Sequence, residues 1–171
     1  MIIRKYKPGE EEELRQLYIN TTRNIIARDY TPAQVQRWVS FHADAALWRE
    51  RIRDRNPFVA EDGGEILGFA ELMPDGQIDY LYCHHKHQRE GVGSMLYQAV
   101  EAEARRLGLP CLHAAVSVAA KRFFLRMGFD VVKEQSNVVC GTVAPNTIMR
   151  KQLSDNNRVE DIVANAPNPH P

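Results

Sequence analysis

The stretch QIDYLYCHHKHQREGVGSML, residues 77–96, decides how this chain is read. Its first seven residues follow the turn signal Pro74-Asp75-Gly76 and read as a strand. Its last residues open a helix. Between them stand Cys83, His84, His85 and His87, all metal-ligating types, followed by Gly91 and Gly93, the residues of an anion cradle. The two halves imply different chemistry.

A zinc site needs side chains that converge, such as two His at i and i+4 on a helix. Here Cys83 and His85 share one strand face while His84 and His87 fall in a turn. The expectation is therefore a solvated turn with no metal. The glycines have better geometry: removing Cβ lets successive backbone N–H groups approach an anion at a helix N-terminus, which favours negative charge by up to about 2 kcal/mol. Two nucleotide patterns fail. Gly93-Ser94-Met95 is not a GK[ST] ending, and Leu96 stands where a dinucleotide fingerprint needs a third Gly or Ala.

Working outward, the 171-residue chain has the length of one domain, and its Lys plus Arg and Asp plus Glu both count 22. With no overall field to draw a polyanion, neither a nucleic-acid nor a membrane partner is expected, and any anion site is local. No apolar leader or spanning segment is seen, and Cys83, Cys111 and Cys140 lack disulfide spacing; a soluble, cytoplasmic protein is expected.

Residues 2–6 read as a strand. Three helices should follow: one from Glu10 with Leu14, Leu17, Tyr18, Thr21 and Ile25 inward; one capped by Thr31-Pro32 with Val35, Trp38 and Val39; and one over Asp44–Arg53 with Leu47, Trp48 and Ile52. FVAED, Gly63-Gly64, EILGFAEL and QIDYLYC then make an antiparallel three-strand meander. The helix after Gly91 should bury Met95, Leu96, Ala99, Val100, Ala102 and Leu107 and stop at Gly108. CLHAAVS, the short helix AAKRFFLRM, FDVVKE and TIMRKQL complete an α/β domain over 1–153, with CLHAAVS parallel to QIDYLYC. The polar, Pro-rich segment 154–171 is expected to be a disordered tail.

Gln88-Arg89-Glu90-Gly91-Val92-Gly93 matches the Q/R-x-x-G-x-G/A motif of the GNAT N-acetyltransferase superfamily, after the fourth strand and before the long helix. Gly64 to Ala70 resembles the family's hairpin strand. Ala119 to Phe129 resembles its A-x-x-F-Y-x-x-x-G-F helix. The chain is accordingly identified as resembling that family over residues 1–153.

The resemblance implies a mixed sheet of about seven strands, splayed between the fourth and fifth, with four to five helices. It implies an acetyl-CoA-dependent N-acetyltransferase acting on an amine acceptor, as a monomer or homodimer. Backbone groups of Leu81, Tyr82 and Cys83 would accompany the pantetheine arm; Gln88, Arg89, Glu90, Gly91, Val92, Gly93 and Ser94 would hold the pyrophosphate; Ser117 would stand near the pantetheine, Lys121 and Arg122 beside the CoA path within reach of a phosphate, and Phe124 in the same helix. Asp79 lies near the position of the family's acidic base, and by alternation would share a face with Gln77 and Leu81, with Glu71 and His113 as alternates. Phe124 replaces the usual Tyr that protonates the leaving thiolate, which leaves water, Tyr80 or Tyr82 for that task. Trp38, Trp48, Tyr30 and Phe41 are candidates for the acceptor pocket. Two other classes stay open: a noncatalytic CoA-binding sensor of the same fold, and a metal-binding protein built on the His cluster.

Overall fold

A computed structural model describes residues 1–139 and 142–153. Cys140 and the tail from Ser154 lie outside the described residues. The chain opens with strand β1 (Ile2–Lys5), then helices α1 (Glu11–Asn24), α2 (Pro32–Phe41) and α3 (Ala45–Arg55). Strands β2 (Phe58–Asp62), β3 (Glu65–Leu72) and β4 (Ile78–Cys83) form the meander. Helix α4 (Val92–Arg106), β5 (Cys111–Val116), α5 (Val118–Arg126), β6 (Asp130–Val139) and β7 (Thr142–Gln152) complete the domain. Among the described residues this is an α/β fold of seven strands and five α-helices.

The helix starts follow local chemistry. Thr31 and Gln34 form a reciprocal capping box with Pro32 at the first turn of α2, and Asp44 Oδ1 accepts the N–H groups of Ala46 and Leu47 to start α3. The buried stripe of α4 is Val92, Leu96, Tyr97, Val100 and Ala104. Ala102 and Leu107, expected inward, are exposed; Leu107 lies past the helix end, and Ala102 points off the stripe that Leu96, Val100 and Ala104 share. Leu47 is likewise 64% exposed while Trp48 and Ile52 are buried, so α3 turns only one edge inward.

The strands form two sheets, β1-β2-β3-β4 and β5-β7-β6. They meet at one parallel bridge, Gln77 to His113, supported by His113 N–H donating to the Gly76 carbonyl at 3.0 Å. The expected parallel pairing of β4 with β5 therefore stops where it begins, and the strands part. Gly76 permits that junction: a Cβ there would lie 2.3 Å from the Cys111 carbonyl oxygen. Strands β6 and β7 run longer than their apolar cores suggested, because β6 pairs along β7 through polar residues such as Gln135 and Asn146.

Two cores flank the first sheet. One packs Leu96, Val100 and Ala104 of α4 on Leu67, Ala70 and Ile78, and continues to Leu112, Phe124 and Met149. The other packs Leu14, Leu17 and Tyr18 of α1 and Trp48 and Ile52 of α3 on Val59, Phe69 and Tyr80. A bulge in β4 sets which of its residues face each core: Leu72 pairs with Ile78 and Ala70 with Leu81, so Asp79 and Tyr80 together oppose Glu71. Ile78 and Leu81 consequently pack on the α4 side, and Tyr80 and Tyr82 on the α1 side. The strict alternation expected of β4, with Asp79 sharing a face with Leu81, is broken by this bulge.

Candidate active site

Where β4 and β5 part, a cleft of about 920 Å³ opens. Its walls are β4, the loop and first turn of α4, the end of β5, the exposed start of α5, and residues of α1 and α2. Of the positions anticipated from the sequence, Asp79, Leu81, Tyr82, Cys83, Gln88, Arg89, Gly91, Val92, Gly93, Ser94, Ser117 and Phe124 line it.

The floor at the α4 end is a backbone cradle. Arg89 and Gly91 both take positive φ, +70° and +86°, in the turn that leads into α4. Gly91 is the N-cap and makes no side-chain capping bond; the first intrahelical bond is Met95 N–H to the Gly91 carbonyl, which leaves the N–H groups of the first turn for an anion. Gly93 allows close approach, since a Cβ would stand 3.3 Å from Cys83 Sγ and 3.4 Å from the Phe123 ring. Gln88 has a structural part: its Nε2 donates to the carbonyls of Cys83 and His84 at 2.9 and 3.0 Å, closing the loop.

Along β4, His84 N–H donates to the Leu67 carbonyl, so the even positions face β3. The Cys83 carbonyl faces the cleft instead and accepts from Thr21 Oγ1 at 2.9 Å as well as from Gln88. By the same alternation Leu81 presents its backbone groups on this open edge, whereas those of Tyr82 belong to the β3 ladder. Burial pushes the Cys83 thiol up to about 12, so it stays neutral near pH 7.

The opposite wall is aromatic. Tyr18, Trp38, Tyr80 and Tyr82 line the cleft beside His42 and Asp79. His42 Nε2 and the Tyr80 hydroxyl share a short hydrogen bond. Burial, helped by the charge of Arg51, lowers His42 to about 4, and burial raises the phenols of Tyr18 (to about 12), Tyr80 and Tyr82. Near neutral pH the imidazole is thus neutral and the phenols keep their protons.

This architecture can be set beside known proteins. The family model described as acetyltransferase (GNAT) domain matches residues 26–153. The chain belongs to the GNAT acetyltransferase family. A curated relative, the uncharacterized N-acetyltransferase YafP of Escherichia coli, is 29% identical over 149 residues, covering 86% of this chain and 93% of that one. The GCN5-related N-acetyltransferase structure from Rhodopseudomonas palustris is 28% identical, with TM-score 0.85 over 89% of this chain and 95% of its own. The yncA structure from Salmonella typhimurium, solved with its cofactor acetyl-CoA, shares the fold at 23% identity and TM-score 0.66, over 91% of this chain and 95% of its own.

In this GNAT domain several anticipated residues lie elsewhere. Glu71 is fully buried and is not a wall of the cleft; its Oε2 accepts from Arg51 Nη2 at 2.9 Å. Lys121 turns away to pair with exposed Glu134 at 2.5 Å, and Arg122 and Arg126 of the same helix line the cleft instead. Glu90 is held by His87. His113 faces Asp75 at the β4–β5 junction, with Nε2 3.7 Å from its carboxylate, outside the cleft. Trp48 is core, donating Nε1–H to the Glu11 carbonyl at 2.6 Å, and Tyr30 is buried against Trp38 with its hydroxyl accepting Val118 N–H at the start of α5. The Phe41 side chain lies outside those described.

Arg51, His42 and Thr21 were missed as site residues. Arg51 sits among the polar residues of α3, and only the fold brings its guanidinium over the Tyr80 ring, 4.4 Å from the centroid, between Glu71 and Asp79. Its one visible signal is position, next to Ile52 and three residues after Trp48 on the buried edge of α3.

Proposed function

We propose that this protein transfers the acetyl group of acetyl-CoA to an amine acceptor by direct attack on the thioester. The observation that supports the reading most is the pairing of an open β4 edge with a backbone cradle at its end, a track of the right chemistry for an amide-bearing arm that ends in phosphate. The Cys83 carbonyl already has two donors, so the arm would use the Leu81 backbone and the Cys83 N–H. Arg122 and Arg126, rather than Lys121, are then the cations beside the phosphates.

The amine nitrogen attacks the thioester carbonyl, the C–S bond breaks, the nitrogen gives up one proton and the thiolate leaves. An alkylamine of pKa about 10.4 must first lose a proton at a cost of about 4 kcal/mol at pH 7.4, while an α-amine of pKa about 8 costs under about 1. Of the two cleft carboxylates among the described residues, Asp29 and Asp79, Asp79 on β4 beside the open edge is the one proposed to take that proton. Arg51 Nη2 stands 2.5 Å from Asp79 Oδ2 and fixes the position of that carboxylate at the bulge. The leaving thiol, of pKa about 8.5, departs readily as thiolate, and the protonated phenol of Tyr82, a residue that lines the cleft, would hydrogen-bond it. A neutral Cys83 argues against an acetyl-cysteine intermediate.

Calorimetry with acetyl-CoA, followed by thiol release across a panel of amines, tests the proposal. Binding with turnover on at least one amine is expected. Binding without turnover on any acceptor would instead favour the noncatalytic sensor, and absence of binding would overturn both.

A further inference from the structure

The histidine cluster that the spacing argument set aside is assembled by a partner from outside the loop. Glu65 begins β3, and the β3–β4 register carries it beside the loop after β4: Gly68 faces Cys83, and His84 N–H continues the ladder to Leu67. His87 N–H donates to the His84 carbonyl at 3.0 Å, a turn that places the two imidazoles on one side. One ligand atom each of Glu65, His84 and His87 then lie within 4.8 Å of one another. Donors around a tetrahedral zinc ion with bonds of about 2.0–2.1 Å lie roughly 3.4 Å apart, a closure that rotation of exposed Glu65 and the loop side chains can make.

Glu90 adds the feature of a ligating histidine. Its carboxylate lies 3.0 Å from His87 Nδ1, which directs His87 Nε2 toward Glu65, 3.5 Å away. A proton on Nδ1 leaves the Nε2 lone pair facing a carboxylate. A second proton, a bridging water or a cation between the two would satisfy that arrangement, and a carboxylate that orients a histidine from behind is the outer shell of many metal sites. We propose that Glu65, His84 and His87 bind a divalent transition metal of the zinc class, with Glu90 as the residue positioning His87. Two imidazoles and a carboxylate suit Zn²⁺ and leave an open position for water. Ligation at His84 gives up only the long 3.3 Å bond from Lys86 N–H to Nδ1.

The site lies on the loop that forms the cradle but needs no cosubstrate, so it stands or falls apart from the acetyl-transfer reading. Full-length protein freed of metal by chelation is titrated with ZnCl₂ by calorimetry, and its thermal midpoint is followed with added zinc. Tight binding of one ion and a zinc-dependent rise in midpoint are expected. His84→Ala and His87→Ala should each weaken binding by about 100-fold or abolish it, and Glu90→Gln should weaken it by about tenfold, as positioning residues do. His113→Ala, outside the cluster, should bind as wild type. These side chains are at the surface, and unchanged midpoints without zinc will report intact folding. No binding by the wild-type chain, or affinity unchanged in the two His variants, would overturn the proposal.

Discussion

Arg51 Nη2 of α3 lies 2.5 Å from Asp79 Oδ2 at the β4 bulge, and the same nitrogen reaches buried Glu71 at 2.9 Å. One guanidinium therefore ties the helical layer to both carboxylates that flank the bulge, one facing the cleft and one sealed behind it. Burial raises the Glu71 carboxyl while Arg51 pulls it down, so the charge on Glu71 depends on this partner.

Removing that partner should be costly. Arg51→Met leaves Glu71 buried without its cation, and a loss of about 3–5 kcal/mol is expected in urea unfolding. Adding Glu71→Gln to Arg51→Met should recover part of it, a coupling measurable in a double-mutant cycle. Additive losses would mean that the pair does not interact.

Asp79→Asn removes the β4 carboxylate from the cleft. Turnover on alkylamines should fall by about 100-fold or more, as is usual for loss of a general base, and turnover on α-amines by much less. Equal small effects on both classes would remove Asp79 as the base; kcat and KM measured on a matched amine pair decide it.

The cradle depends on backbone shape more than on space. A Cβ at Gly91 meets nothing within 4 Å, but φ of +86° strains any L side chain by about 1–2 kcal/mol. Gly91→Val, β-branched, should therefore weaken acetyl-CoA binding by about tenfold or more, with Gly91→Ala in between. Calorimetric Kd values check the order.

Acid stability carries a signature of His42, which is 6% exposed. Its folded pKa is lowered from 6.5 to about 4, so between those values the unfolded chain binds more protons than the folded one. The His42 contribution is complete above about pH 6.5 and is lost as pH falls through 4. Denaturant midpoints of wild type should decline already from pH 6.5 to 4, and His42→Gln should flatten that part of the profile.

Cys83→Ala should keep turnover near wild type, because a thiol held near pKa 12 is not a nucleophile at neutral pH. Intact mass spectra of wild type incubated with acetyl-CoA alone should show no acetylated protein. An acetylated Cys83 would reverse this expectation.

The amino-acid order alone determined the elements, the meander and the cradle, because these rest on local chemistry: the Thr31-Pro32 cap, paired glycines at a hairpin, and Gly91-Val92-Gly93 before an apolar helical stripe. It also determined that Phe124 is no phenol. What only the tertiary structure decided are contacts between distant segments. The β4 bulge turns Asp79 and Tyr80 out of strict alternation because Glu71 on β3 opposes both. Arg51 reaches those carboxylates because α3 packs across the sheet, and Lys121 leaves the cleft because Glu134 of β6 stands beside it. Glu65 joins the histidines because strand register, which no local pattern of spacing encodes, lays β3 against the loop that follows β4.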